Sequence, residues 1–334
     1  MLRPNIMTTY LASLNTALRN LLATDDRVHL WGEDLLDPYG GAFKVTAGLQ
    51  AAYPERVRTT PISEAAIVGL GNGMALRGYR PIVELMFGDF VTLAADQLIN
   101  YAAKFGAMYH DGASNPLIVR TPMGGGRGYG PTHSQSLEKL FFGIPHLRII
   151  APSLYHDPGA ILTHLVQTTR DPVLFVEHKL LYPKTIQPEG DSLPGLEGVP
   201  TRLIRNYKTG KPDVTLIAYG GASLWIEPLL PRLAAEEIRV LACFPASVQP
   251  LPLDDLVQAA AETGLVLIVE EGTRAHGWGA EAAAGITEIL WGRLKAPVAR
   301  LAAADTIIPS AKPLETEVLP SPERIEQAIY DLLS

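Results

Sequence analysis

The sequence predicts an α/β protein built as two three-layer α/β/α domains, and three observations lead there. Short apolar runs alternate with longer helix-compatible stretches along most of the chain. The runs are continuously apolar, the pattern of parallel strands covered on both faces. Near the middle, residues 184–200 (KTIQPEGDSLPGLEGVP) are rich in Pro, Gly and acidic groups and carry no apolar periodicity. That stretch predicts a linker between domains spanning 1–183 and 201–334. With 334 residues, 47% of them apolar and 19% charged, the chain has material for two cores and none of the bias that favours disorder.

Taken in order, residues 1–25 predict an amphipathic helix with polar groups interspersed, unlike a signal peptide. Strands are predicted at 27–32 (RVHLWG), 80–85 (RPIVEL), 116–120 (PLIVR), 147–151 (LRIIA) and 172–176 (PVLFV). Helical periodicity fills 64–76, 92–105, 136–142 and 157–168 between them. Beyond the linker the alternation resumes. Strands are predicted at 214–219, 238–244 and 265–270, with helices at 221–236, 253–263 and 279–290. A last amphipathic helix is predicted over 322–333, capped by Ser321 with Pro322 at its first position.

Charge and cysteine count exclude several functions. A net charge of −7 without a Lys/Arg cluster argues against a nucleic-acid or anionic-membrane partner. Cys243 is the only cysteine, which excludes an internal disulfide and a cysteine-based zinc site. No apolar run reaches bilayer-spanning length, so the expected location is cytoplasmic, or an organelle matrix.

Several segments are candidates for chemistry. Glu64 stands in the first turn of a helix after Pro61, with Ser63 or Thr60 as cap. An acid there complements the helix dipole, a purely structural role. Its neighbours Ala65 to Gly69 are apolar or small, a setting that withdraws a carboxyl from water and suits a general acid. The glycine loop 124–130 (GGGRGYG) follows a strand end, where α/β sheets place ligands, and leads to His133. His133 is expected at a loop-to-helix junction capped by Ser134 or Ser136. Met86 to Phe90, after a strand, serve either as core or as an apolar wall for a flat ring. Glu33-Asp34 are paired carboxylates, but no third ligand clusters with them, which predicts a solvated turn. Glu270-Glu271-Gly272 end a strand and His276 to Gly279 precede a helix; these read as turn residues, with His276 alone offering a weaker partner or substrate-phosphate contact.

The ordered set Gly32-Glu-Asp, Tyr39-Gly-Gly-Ala-Phe-Lys-Val-Thr, Thr60-Pro-Ile-Ser-Glu64, Val83-Glu-Leu-Met-Phe-Gly-Asp-Phe90, Asp96-Gln-Leu-Ile-Asn100 and His133-Ser-Gln135 resembles the β subunit of thiamine-diphosphate-dependent 2-oxoacid dehydrogenases. The likeness continues through Asp171-Pro-Val, Glu270-Glu-Gly and Leu314-Glu to Leu319-Pro, nearly the whole chain. It implies a pyrimidine-binding transketolase-like domain followed by a transketolase C-terminal-type domain. It also implies oxidative decarboxylation of pyruvate or a similar 2-oxoacid, with acyl transfer to a lipoyl group. Glu64 then hydrogen-bonds the pyrimidine ring nitrogen of thiamine diphosphate, favouring the imino tautomer that takes the thiazolium proton. Met86 and Phe90 form the apolar wall against the pyrimidine. His133 lines the channel used in reductive acyl transfer. A monovalent cation, potassium among the candidates, belongs near Asp171.

Enzymes with this cofactor hold its diphosphate through magnesium, usually on a Gly-Asp-Gly motif. None occurs here: Gly88-Asp89 is followed by Phe90, and Gly190-Asp191 by Ser192. The resemblance therefore implies an α subunit carrying the magnesium half of the site, a second β chain, and a lipoyl acyltransferase or carrier protein as partners. Two α and two β chains are expected. Two other readings stand beside it. One is a transketolase-like subunit passing a two-carbon unit from a ketose phosphate to a carrier protein, with Arg127 and His276 as its suggestive residues. The other is a non-catalytic scaffold subunit.

Overall fold

The computed structural model describes residues 8–109, 112–188 and 190–334. They gather into two compact units. The first holds the residues up to Pro122 together with Ile144–Arg148 and Leu154–Pro188. The second holds Met123–Gly143, Ile149–Ser153 and the residues from 190 onward. The division is not one cut in the chain: residues 123–143, expected with the first domain, cluster with the second. The reason is local, since the glycine loop in that segment is hydrogen-bonded to Glu271 and Glu315.

In the first unit, the predicted N-terminal helix spans Tyr10–Thr24; residues 1–7 of the expected helix lie outside the described residues. Thr9 caps it by accepting from the Ala12 N–H, and the buried stripe Tyr10, Leu14, Leu18, Leu21 repeats at helical spacing. Strands β1 (Val28–Gly32), β2 (Val57–Thr59), β3 (Arg80–Glu84), β4 (Ile118–Met123), β5 (Arg148–Ile150) and β6 (Val173–His178) follow, with β6-β4-β3-β1-β2 adjacent in that order. β2/β1, β1/β3 and β3/β4 are parallel. The register puts Thr59, Gly32, Glu84 and Arg120 in one row across the sheet, so β2, β1 and β3 reach their carboxyl ends at the same edge, while β4 continues to Met123. The helix Pro158–Thr168 starts on an Asp157 cap, and Asp157 also accepts from the Ser13 hydroxyl, tying it to the N-terminal helix.

The expected helix over 92–105 is broken into a 3₁₀ turn (Gly88–Ala94), a π-helical turn (Gln97–Ala102) and a short α-turn (Phe105–Met108). Asn72, on the adjoining helix, donates to the Gln97 carbonyl at 3.0 Å and competes with the regular ladder there.

In the second unit, β7 (Asp191–Leu196), β8 (Val199–Arg205), β9 (Val214–Ala218), β10 (Val240–Pro245), β12 (Val266–Thr273) and β13 (Ala299–Ala303) form a six-stranded sheet in the order β13-β12-β9-β10-β8-β7. Its β9, β10, β12 and β13 pairings are parallel, and the β7/β8 hairpin joins antiparallel at one edge. β11 (Ser247–Gln249) pairs with Ile149 and Ile150 instead. The hairpin corrects the predicted 184–200 linker. Leu196 pairs with Val199 around Glu197-Gly198, both left-handed (φ +49° and +80°), a tight two-residue hairpin turn. A ladder irregularity between Leu193 and Leu196 accommodates Pro194 and Gly195, the residues that hide the strand in the sequence.

The predicted helix over 221–236 is likewise split, into Ser223–Ile226 and Leu229–Ala235, at Pro228, which has no N–H to continue the ladder. Helices Leu253–Ala261, Trp278–Ile289 and Pro322–Leu333 match their predictions within two residues at each end. Among the described residues no helix is long and apolar enough to cross a membrane.

Candidate active site

In the first unit the candidate residues sit just past the common edge of β1, β2 and β3. Gly32 ends β1, and the Thr60 N–H donates to its carbonyl at 2.9 Å, which brings the chain after β2 alongside it. The helix Glu64–Leu76 begins four residues later, as predicted. Ser63 occupies the cap position with extended backbone, but its side chain makes no capping bond; the Ile67 N–H bonds the Ser63 carbonyl instead. Glu64 is buried, 5% exposed, in the first turn.

Glu33 lies beside it and corrects the expectation of a solvated turn. Only Asp34 is exposed; Glu33 is 4% exposed and its Oε1 has no hydrogen-bond partner. Burial, followed by the charges of Glu64, Asp34 and Glu84, pushes the Glu33 carboxyl up to about 7. Two buried carboxyl groups therefore act on each other's charge, one with an oxygen left for a donor. Pairing of β1 on both sides, by β2 and β3, encloses Glu33.

Met86 and Phe90 follow β3 and are half-buried. Phe87 between them packs edge-on against Phe43 at 5.6 Å and Phe90 at 6.1 Å. Beneath lies a charge network that the motif reading missed. Buried Arg120 donates to Glu84 at 2.8 Å and to both oxygens of Glu177, while Tyr182 donates to Glu177 at 2.7 Å. Burial opposes the Arg120 charge, but Glu177 and Glu84 outweigh it and raise its pKa. For Glu84 burial dominates over Arg120, and its pKa is raised as well. One sequence signal marks this network: the otherwise apolar strands β3, β4 and β6 each carry a buried charged residue, Glu84, Arg120 and Glu177.

In the second unit, His133 is half-buried. Its Nδ1 lies 2.9 Å from the Thr132 hydroxyl, and its N–H donates to the Gly130 carbonyl at 3.3 Å. The predicted helix over 136–142 is only a 3₁₀ turn, Glu138–Phe141, without a side-chain cap. Tyr219 donates to Glu138 at 2.6 Å, and Lys139 reaches the carbonyl of Ala275 at 2.8 Å; these bonds fix the turn from outside. Glu270 accepts from the Gly279 N–H and from Arg300, and Glu271 accepts from the Gly125 N–H. His276 is exposed with left-handed backbone, and exposed Arg127 lies over the Tyr129 ring at 5.1 Å. Asp171 is 49% exposed in its side chain and lies 3.7 Å from His146.

The first unit's residues fit the pyrimidine half of thiamine diphosphate. A buried acid at a helix start, a neighbouring carboxyl with an orphaned oxygen and a Met/Phe wall suit a flat, nitrogen-bearing ring. They do not fit its metal-bound half, since among the described residues no three His, Cys, Asp or Glu side chains are placed to hold a metal ion.

The architecture and these residues define a transketolase-type protein. The transketolase pyrimidine-binding domain family matches residues 7–185, and the transketolase C-terminal domain family matches 205–325. A solved split-gene transketolase, described as an inactive β4 tetramer, superposes with a TM-score of 0.73 over 98% of each chain at 20% identity, a likeness of fold. The chain is 36% identical to the 2-oxoisovalerate dehydrogenase β subunit of Bacillus subtilis, covering 97% of this chain and 98% of that one. It is 34% identical to a mitochondrial pyruvate dehydrogenase E1 β subunit of Arabidopsis thaliana, over 95% and 86%. It is 32% identical to the β subunit of the acetoin:2,6-dichlorophenolindophenol oxidoreductase of Cupriavidus necator, over 95% and 94%. The chain belongs to the family of thiamine-diphosphate-dependent 2-oxoacid dehydrogenase β subunits.

Proposed function

We propose that this chain supplies the proton-handling half of a two-subunit active site that decarboxylates a 2-oxoacid of the pyruvate or branched-chain type and passes the acyl group to a lipoyl carrier. The observation that carries the reading is the buried Glu64 at its helix start, beside the orphaned oxygen of Glu33 and at the carboxyl edge of three parallel strands. Thiamine diphosphate, when bound, supplies the nucleophilic carbon and the electron sink.

The chain's own residues bind, orient and move protons. Glu64 hydrogen-bonds the pyrimidine ring nitrogen and sets its protonation. Glu33 keeps that region short of solvent and limits the negative charge beside Glu64. Met86 and Phe90 hold the ring flat against an apolar wall and exclude water. His133 serves the acyl transfer to the lipoyl group.

The metal-bound diphosphate is assigned to an α subunit, because the sequence has no Gly-Asp-Gly motif and the described residues place no metal cluster. Magnesium, a second β chain, a lipoyl acyltransferase, a cytoplasmic setting and a monovalent cation near Asp171 belong to the same reading. The test is reconstitution. This chain alone and with a Gly-Asp-Gly-bearing partner is assayed with cofactor, magnesium, and straight and branched 2-oxoacids, with acetoin and a ketose phosphate alongside. Turnover of a 2-oxoacid by the pair alone is expected; turnover by the single chain, or of the ketose phosphate only, contradicts the reading.

A further inference from the structure

The glycine loop before His133 has only the Arg127 and Tyr129 side chains, both exposed, to set its own shape. Gly124, Gly126, Gly128 and Gly130 are all left-handed, with φ of +93°, +84°, +71° and +76°. Such a loop has a large conformational freedom to lose. Its shape is imposed from elsewhere in the second unit. Glu315, 1% exposed, spans two of its amides: Oε1 accepts from the Gly126 N–H at 2.8 Å and Oε2 from the Gly128 N–H at 2.9 Å. Glu271, 7% exposed, accepts from the Gly125 N–H at 2.6 Å. Three loop amides thus converge on two buried carboxylates, an arrangement in which charge-assisted bonds offset the cost of burying the charges.

The contact is close as well as polar. A Cβ at Gly125 would stand 2.8 Å from Leu319 Cδ1, and one at Gly130 would stand 2.3 Å from the Ser310 hydroxyl oxygen. Residues 310–319 therefore lie against the loop along its length. The loop's last glycine accepts the His133 N–H, so the loop's shape passes directly to the histidine backbone.

We infer that Glu315, assisted by Glu271, is a positioning residue for His133. The carboxylate clasp holds the 124–130 loop in the one shape that presents the imidazole for acyl transfer. The inference rests on the proposed role of His133, and the experiment separates the two.

In the reconstituted two-subunit enzyme, Glu315→Gln replaces one accepting oxygen with an NH₂ group that faces a donor. Three quantities are measured on one preparation: the rate with a lipoylated acceptor, the decarboxylation rate with ferricyanide as acceptor, and amide hydrogen exchange across residues 124–135. The lipoyl-dependent rate is expected to fall about 10-fold or more, and the ferricyanide-linked rate less than about 3-fold. Exchange at 124–130 is expected to speed up about 10-fold or more. A merely structural role lowers both rates together, and that result, or unchanged exchange, overturns the inference. His133→Ala is run alongside: if it spares the lipoyl-dependent rate, the reading of His133 has failed, while the exchange data still decide whether Glu315 holds the loop. Should Glu315→Gln fail to assemble, Glu271→Gln removes a single loop contact. The same split between the two rates is expected from it at about 3-fold, and its absence overturns the inference.

Discussion

Arg120 donates through Nε and Nη2 to the two carboxylate oxygens of Glu177, at 2.6 and 2.9 Å, in the interior of the first unit. Its remaining Nη1 donates to Glu84, which shares a row of the sheet with Gly32, the residue before Glu33. The guanidinium thus bridges two carboxylates, its single positive charge shared between them.

Arg120→Met fills much of the same volume but leaves Glu84 and Glu177 buried without their cation. A loss of about 3–5 kcal/mol in unfolding free energy at pH 7 is expected. Arg120 holds the Glu84 pKa down against the burial that raises it, so without Arg120 the folded Glu84 takes up a proton more readily and the deficit shrinks toward pH 5. Denaturant titrations at both pH values measure it; equal deficits contradict the account.

Glu33 makes the opposite contribution. Its folded carboxyl titrates at about 7, above its ordinary value of 4.5, so between those values the folded state binds more protons. Its contribution is fully present below 4.5 and is lost as pH rises through about 7. Glu33→Gln removes this dependence. The variant's stability relative to the parent should therefore climb by on the order of 1–3 kcal/mol from pH 4.5 to 7.5. Thermal midpoints across that range test it, and a flat difference rules the titration out.

Gly71, on the helix that carries Glu64, is fixed by its neighbours. A Cβ there would stand 2.6 Å from Leu117 Cδ1 and 3.1 Å from Val83 Cγ1. Despite alanine's better helix propensity, Gly71→Ala is expected to lower stability by about 1–3 kcal/mol through overpacking. A raised melting temperature for the variant contradicts that packing.

The sequence made some of this legible and hid the rest for definite reasons. The helix Glu64–Leu76 is readable to its bounds because Pro61 and Ser63 mark its start and small and apolar residues, interrupted only by Asn72, follow Glu64 through it. The strand ends Gly32 and Glu84 are readable from the change from apolar to turn or charged residues, whereas β4 runs on past Arg120 to Met123. The burial of Glu33 is not, since Gly-Glu-Asp has the composition of a solvated turn and only flanking strands enclose it. The β7/β8 hairpin hides behind Pro194 and Gly195, although Glu197-Gly198 is a turn signal. The carboxylate clasp leaves no local trace, because its partners are 146 to 189 residues apart in the chain.

The central claim is that Glu64 governs protons on the pyrimidine, and the most direct measurement is hydrogen–deuterium exchange at the thiazolium C2 position, followed by quenched NMR in the reconstituted enzyme. Glu64→Gln is expected to slow that exchange about 100-fold or more while cofactor binding changes only a few-fold. Exchange at the parent rate in a variant that still binds the cofactor contradicts the account.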